Sequence, residues 1–326
     1  MALNKKITCI AGATGMVGSS ILSQLLIING NAQIRASSHN AEPLIRDRRI
    51  EYIRADLRSL EDCKQMLRGC GCLVMAAGYG GGAKNTRAFP WQHINENLTM
   101  NKQVLEAACL EGVRRVILIS SATLYQEFSG NVKEDQLDWN KDPHEAHFAF
   151  GWTMRFIEKL CMFVHKRYGI EVIIARAANI FGPFDKFNPE ISNFIPALIR
   201  KATDKLDPFE VWGSPDVVRD VLYSEDLARA ITAMLEKDNL GGYGVFNLGS
   251  GRATTVGEVV QWALKYAQHT PTDIKYAQDK PVTIKSRILD CGKAADVLGW
   301  RPQYTIEEGI RKTTQWWMEN KKWWKK

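Results

Sequence analysis

Several features are missing from this chain of 326 residues, and each absence excludes something. No apolar run approaches the roughly 20 residues that a membrane-spanning helix needs, so no span is expected. The seven cysteines are an odd number, scattered, and several (Cys9, Cys109, Cys161) lie inside apolar runs. That pattern builds no disulfide framework and fits a reducing cytoplasm. Cys70 and Cys72 stand close together, but no second pair follows at useful spacing, so no metal site is expected. The opening MALNKK runs straight into an apolar segment and leaves no room for a signal peptide. Repeats, low-complexity linkers and a second independent domain are absent too.

Positive charge is not lacking. The net charge is +7, and much of the excess sits in the terminal KKWWKK, residues 321–326. A basic surplus suits nucleic acid, a membrane surface or an anionic small molecule. Lys and Trp together can sit at a membrane interface, but six residues are too few to commit to that, and the stretch reads as a surface tail. Hydrophobic content of 45% with charged content of 24% is that of a globular protein large enough for one α/β core plus a smaller lobe.

The most informative stretch is ITCIAGATGMVG, residues 7–18. An apolar strand meets Gly12, Gly15 and Gly18, and an amphipathic helix follows at once. Gly12 allows a tight turn, Gly15 lets backbone approach a pyrophosphate, and Gly18 lets helix pack on strand. Thr14, Met16 and Val17 lie on the same turn, where free N–H groups and the helix dipole favour phosphate. This predicts dinucleotide binding. A second strand at 33–36 leads into IRASSHN. An acid there would suit the ribose hydroxyls of NAD, whereas Arg suits the 2′-phosphate of NADP. The stretch has no acid, and Arg35, Ser37, Ser38 and His39 offer donors. NADP(H) is therefore favoured over NAD(H), although Arg35 could equally be a solvated strand-end residue.

A third strand, 51–56, ends at Asp56-Leu57, which resembles the Asp-Leu step that flanks the adenine in the short-chain dehydrogenase/reductases; Asp56 can also help start the helix 60–67. A fourth, 72–76, runs into AAGYGGG, whose small residues Ala76, Ala77 and Gly78 leave space for a ribose and pyrophosphate. A long helix, 93–110, contains Asn97. Then come the strand 116–120, a helix 149–168 and the strand 171–176. Strands alternating with helices predict an α/β, doubly wound, parallel Rossmann-type sheet. Beyond residue 179 the pattern loosens into a smaller lobe, with helices at 195–201 and 256–267, the latter capped by Thr254 or Thr255. The expected division is a dinucleotide-binding domain over 1–181 and a sugar-nucleotide lobe over 182–326, with 217–248 returning to the first core.

Together these residues resemble the extended short-chain dehydrogenase/reductases, the NAD-dependent epimerase/dehydratase family. Within it the nearest match is the GDP-L-fucose synthase group, carried by AAGYGGG, NENLTMN (95–101), SSATLY (120–125), NIFGPFDKFNP (179–189), FIPALIRK (194–201) and WGSPDVVRDVLY (212–223). The resemblance implies a GDP-sugar substrate, an epimerase–reductase activity and a homodimer through the helices 93–110 and 149–168. It also implies a Ser, a Tyr-x-x-x-Lys pair, and a Cys and a His for acid–base work. Ser121 matches the Ser. Phe150 stands at the Tyr position, Met154 at the Lys position, Thr123 at the Cys and Asn193 at the His. Four of the five positions cannot do the expected chemistry. The sugar-nucleotide positions keep Asn179, Lys201, Trp212, Arg219 and Arg287, and arginines grip phosphate by two parallel bonds. Two readings follow. One is a nucleotide-sugar enzyme with altered acid–base residues, His147 being a candidate substitute. The other is a catalytically impaired binding homologue that regulates or partners an active relative.

Overall fold

The structure, a computed structural model, describes residues 7–81, 83–128, 130–238, 240–277, 287–322 and 324. Seven strands form one sheet. In chain order they are Ile7–Ala11, Ile34–Ser38, Ile50–Arg54, Cys70–Met75, Arg115–Ser121, Glu171–Ala177 and Tyr243–Leu248. Every pairing in this sheet is parallel, and the spatial order is third, second, first, fourth, fifth, sixth, seventh. The order reverses between the first and fourth strands. Such a switch point opens a crevice at the carboxyl ends of the strands, where open α/β sheets bind ligands.

Helices cover both faces, so the strands are buried on both sides and read as continuous apolar runs. Every residue of Cys70–Met75 is buried. On one face Ile21, Leu22 and Leu25 of the helix Met16–Ile28 pack with Leu227, Ile231 and Met234 of the helix Ser224–Glu236. On the other, the helices Leu60–Leu67, Pro90–Leu110 and Phe148–Tyr168 contribute Met66, Val104, Leu105, Ile157 and Cys161.

The later lobe has its own core. The helices Phe194–Thr203, Val256–Tyr266 and Ile306–Asn320 close around Phe181, Phe209, Tyr223 and Ile310, and the Phe187 ring stacks on Trp317 at 4.1 Å. Thr255 with Glu258 and Thr305 with Glu308 form reciprocal caps that satisfy the first N–H groups of two of these helices. The chain crosses back between 217 and 248. Val221–Tyr223 pairs with Asn179–Phe181, and Tyr243–Leu248 joins the main sheet beside Glu171–Ala177.

Some expectations need correction. The second strand extends to Ser38, which puts Arg35 at its entry rather than its exit. The third ends at Arg54, so Asp56 lies in the loop beyond. The long helix begins at Pro90, since Pro is well suited to a first helical turn. The terminal stretch is not simply a surface tail: the Trp324 indole N–H donates to Asp185 O at 2.9 Å and its ring meets Trp316 at 4.9 Å. Residues 323, 325 and 326 of that stretch, and Gly82 of AAGYGGG, lie outside the described residues. Among the described residues no helix is long and apolar enough to cross a membrane, and no cluster of three or more His, Cys, Asp or Glu residues could hold a metal.

Candidate active site

The glycine turn sits at the carboxyl end of the first strand, against the switch point. Gly12 has φ of +87°, and a Cβ there would lie 2.5 Å from the Ala77 backbone. A Cβ on Gly18 would meet Gly12 O at 2.3 Å, so only glycine allows the helix to close on the strand. Gly15 differs. It is exposed, a Cβ would meet nothing closer than 3.5 Å, and as N-cap it offers no side chain to the helix start. The space over Gly15, Met16 and Val17 is what a pyrophosphate needs at a helix N-terminus, so these residues fit a dinucleotide. The Gly12 N–H donates to Ser37 Oγ at 2.8 Å, which ties the turn to the second strand.

Asn97 shapes the opposite wall. Its Oδ1 accepts from Tyr79 N at 3.0 Å, and its Nδ2 donates to Tyr79 O at 2.9 Å and His93 O at 2.7 Å. At 3% exposure it clamps the segment after Ala76, Ala77 and Gly78 and leaves its own polar atoms committed. Arg35 is a clear departure from expectation. Its Nε donates to Glu51 Oε2 at 2.8 Å, and its Nη1 donates to Met66 O and Arg68 O at 3.1 and 2.7 Å. It caps the end of the helix Leu60–Leu67, about 10 Å short of the strand exit, and is not placed to read a 2′-phosphate. At the exit Asp56 is held by Arg58 at 2.7 Å, with His39 at 3.8 Å; Arg58 keeps the carboxyl down at about 2. The Leu57 side chain is buried in the core.

A cavity of about 630 Å³ opens between the sheet and the later lobe. It brings together Ser121, Thr123, Asn179, Asn193, Lys201, Trp212, Arg219 and Arg287. Ser121 ends the fifth strand, and its Oγ accepts from Thr123 Oγ1 at 2.9 Å and Thr123 N at 3.2 Å. Asn193 is the N-cap of Phe194–Thr203 but makes no cap hydrogen bond with its side chain. Trp212 is 53% exposed, an open aromatic face at the cavity. Asn179 Nδ2 donates to Asp220 O at 3.0 Å.

The cavity is cationic. Burial pushes Arg287 down to about 10, with Arg219 nearby adding to the effect, and Arg287 Nη1 is buried without a hydrogen-bond partner. Burial also lowers Arg219 and Lys201, whose Nζ donates to Glu210 O at 2.8 Å. Buried guanidiniums of this kind gain from an anion that supplies both charge and acceptors.

Phe150 and Met154 do not line this cavity. Met154 is 6% exposed within the core under the sheet, and Phe150 packs against the same cluster. At these positions the helix has apolar packing in place of polar groups directed at a ligand. Arg200, Asp220 and Glu190 also line the cavity and were not anticipated. Arg200 precedes Lys201, and its Nε is buried without a partner. Asp220 accepts from Ser250 N and Oγ, both at 2.8 Å, and from Leu289 N at 2.9 Å, which fixes the cavity floor. Tyr125 is fully buried, its hydroxyl donating to Asn247 Oδ1 at 2.7 Å and held up at about 12 by burial, outside the cavity.

Comparisons with known proteins agree with this architecture. Residues 8–249 match the model of the NAD dependent epimerase/dehydratase family. A GDP-L-fucose synthase from Sinorhizobium fredii is 28% identical over 98% of this chain and 97% of its own. A GDP-mannose 3,5-epimerase from Arabidopsis thaliana is 27% identical over 96% of this chain and 82% of its own. Among solved structures, the dTDP-glucose 4,6-dehydratase DesIV of Streptomyces venezuelae, determined with NAD bound, superposes with a TM-score of 0.84 at 22% identity over 98% of this chain and 99% of its own. A glycine turn at the switch point, a parallel seven-stranded sheet and a match across most of its length place this chain in the NAD-dependent epimerase/dehydratase family.

Proposed function

We propose that the chain binds a nicotinamide dinucleotide over the first glycine turn and a GDP-linked sugar in the cationic cavity, and modifies that sugar by a redox or epimerisation step. The observation that carries this reading is the placement of Ser121 in one cavity with Arg200, Lys201, Arg219 and Arg287. The basic groups bind the diphosphate, Trp212 offers a face to the base, and Ser121 holds a sugar oxygen. A bound dinucleotide supplies the hydride donor or acceptor. The Ser121 hydroxyl already accepts two hydrogen bonds from Thr123, so its own proton is directed to a ligand. With apolar side chains at 150 and 154, proton transfer falls to other groups.

NADP(H) remains the preferred cofactor. Arg35 no longer supports that preference, and it rests on Ser38 and His39 at the strand exit, where Asp56 is occupied by Arg58. A homodimer fits the exposed stripe Phe148, Trp152, Phe156 and Phe163, at 50, 36, 54 and 54% exposure on one side of one helix. A second reading, a binding homologue that regulates an active relative, is favoured by the burial of Met154 in the core and the packing of Phe150 against it.

Calorimetry with NADP+, NAD+ and GDP, followed by incubation with GDP-4-keto-6-deoxymannose and NADPH, tests the proposal. Binding of both ligand classes with NADPH oxidation supports the enzyme. Binding without turnover across several GDP-sugars supports the second reading. No binding of either class defeats both.

A further inference from the structure

The helix Phe148–Tyr168 starts hard against the turn Ala122–Leu124. A Cβ on Gly151 would lie 2.9 Å from Thr123 O and 2.5 Å from Pro143 Cβ. The residue before that helix, His147, reaches the cavity wall that Ser121 and Thr123 also form. His147 is the N-cap of the helix, yet its side chain makes no cap hydrogen bond, and among the described residues nothing hydrogen-bonds its ring. Its neighbour His144 caps the short turn Glu145–His147 that precedes the helix, with Nδ1 accepting from Ala146 N at 3.1 Å. The charged and titratable groups that face the His147 ring are Arg287, Arg219 and His144.

We propose that His147 is the proton acceptor of this cavity and that the diphosphate of an incoming sugar nucleotide switches its basicity on. The proposal rests on the sugar-nucleotide reading of the cavity. Elimination supports it. Ser121 and Thr123 are hydroxyls bonded to each other, and Asn193 is a neutral amide. Asp220 is committed to Ser250 and Leu289, and Glu190 is exposed to solvent. Among the described residues of this wall, His147 is left as the one with an open ring nitrogen that can take up a proton.

The step balances simply. On oxidation of a sugar carbinol, the O–H bond breaks and its proton passes to the open imidazole nitrogen. The C–H bond breaks and its hydride passes to the oxidised nicotinamide dinucleotide. The products are a ketone, an imidazolium and the reduced dinucleotide. Burial, then Arg287, His144 and Arg219, hold His147 down at about 4, so the ring is neutral but a poor base. The positive end of the helix dipole acts in the same direction. A diphosphate seated on Arg287 and Arg219 cancels those charges, and the imidazolium is then stabilised only while substrate is bound.

The test uses the full chain with ¹³C-labelled histidine, titrated by NMR alone and with saturating GDP, and His147→Gln to assign the signal. The expected result is a His147 midpoint near 4 in the free chain that rises by at least one pH unit with GDP. Calorimetry at pH 5 in buffers of different ionisation heat should show proton uptake on GDP binding that His147→Gln abolishes. In turnover, His147→Gln should lower kcat about 10²–10⁴-fold, the usual worth of a positioned acid or base, with GDP affinity retained. GDP binding that leaves the His147 midpoint unmoved, or a variant that turns over as fast as the parent, overturns the proposal and spares the sugar-nucleotide reading. A chain that binds no GDP defeats that reading and this proposal together.

Discussion

Thr123 Oγ1 donates to Ser121 Oγ at 2.9 Å, and the Thr123 backbone N–H donates to the same oxygen at 3.2 Å. With two bonds accepted from Thr123, Ser121 Oγ has its own proton to offer to an oxygen in the cavity it lines. The pair is thus a preset donor for an oxygen that gains negative charge during reaction. Ser121→Ala should lower kcat about 10²–10³-fold, the usual cost of losing one such donor. GDP affinity should change little, since the basic groups that bind phosphate lie elsewhere on the wall. Steady-state kinetics beside calorimetry check this; a variant that loses GDP binding and keeps kcat would assign Ser121 to anchoring.

The three glycines of the turn should separate by role. Gly12→Ala forces φ of +87° on an alanine and drives its methyl into Ala77, so folding stability should fall by about 1–3 kcal/mol. Gly15→Ala meets only ordinary contact at 3.5 Å, and stability should stay within about 1 kcal/mol. Its methyl does occupy the approach to the helix N–H groups, so dinucleotide affinity should drop at least about tenfold. Urea melts and dinucleotide titrations on both variants give the comparison. Equal loss of stability in the two would show that Gly15 is structural.

The sheet was legible because its strands are buried on both faces. Residues 116–119 are Val-Ile-Leu-Ile, and a doubly covered strand needs such a run. Gly12, Gly15 and Gly18 were legible because their spacing encodes a backbone path. Arg35 was misread because a sequence places a residue near a strand end without showing where a long side chain reaches. Its guanidinium runs to Met66 O and Arg68 O, contacts that depend on how a distant helix ends. That Met154 packs in the core and does not line the cavity was not legible either, because a position in a motif carries no information about which way the wall of the cavity turns. The partners of Asp220 (Ser250 and Leu289) lie 30 and 69 residues away, and no spacing rule foretells that meeting.

Beneath Ser121 lies a buried ion pair with no counterpart in the sequence reading. Glu158, at 0% side-chain exposure, meets Arg176 at 2.8 Å and accepts from Ser120 Oγ at 2.6 Å. Arg176 also donates to Tyr125 OH and Glu134 O. Breaking such a pair leaves a buried charge alone, so Glu158→Ala should cost about 3–5 kcal/mol. Adding Arg176→Met should recover part of that loss. Chemical denaturation of the two single variants and the double variant measures the coupling, and strictly additive costs would mean that the pair does not act as a unit.

Asp185 should make stability fall as pH rises. It is 3% exposed, its Oδ1 accepts from Lys186 N at 2.7 Å, and its Oδ2 is buried without a hydrogen-bond partner. Burial pushes the carboxyl up to about 7, against about 3.9 in an unfolded chain. Between those values the folded chain keeps a proton that the unfolded chain has lost, so its contribution is complete below about pH 4 and disappears as pH rises through 7. Each unit of pH in that window costs about 1.4 kcal/mol. Asp185→Asn is neutral at every pH and removes the dependence. Relative to the parent it should be about equally stable near pH 4 and a few kcal/mol more stable near pH 8. Urea midpoints of both proteins at the two pH values decide it. The same difference at both would mean that Asp185 is ionised in the folded chain throughout, its charge balanced by Lys186 next to it.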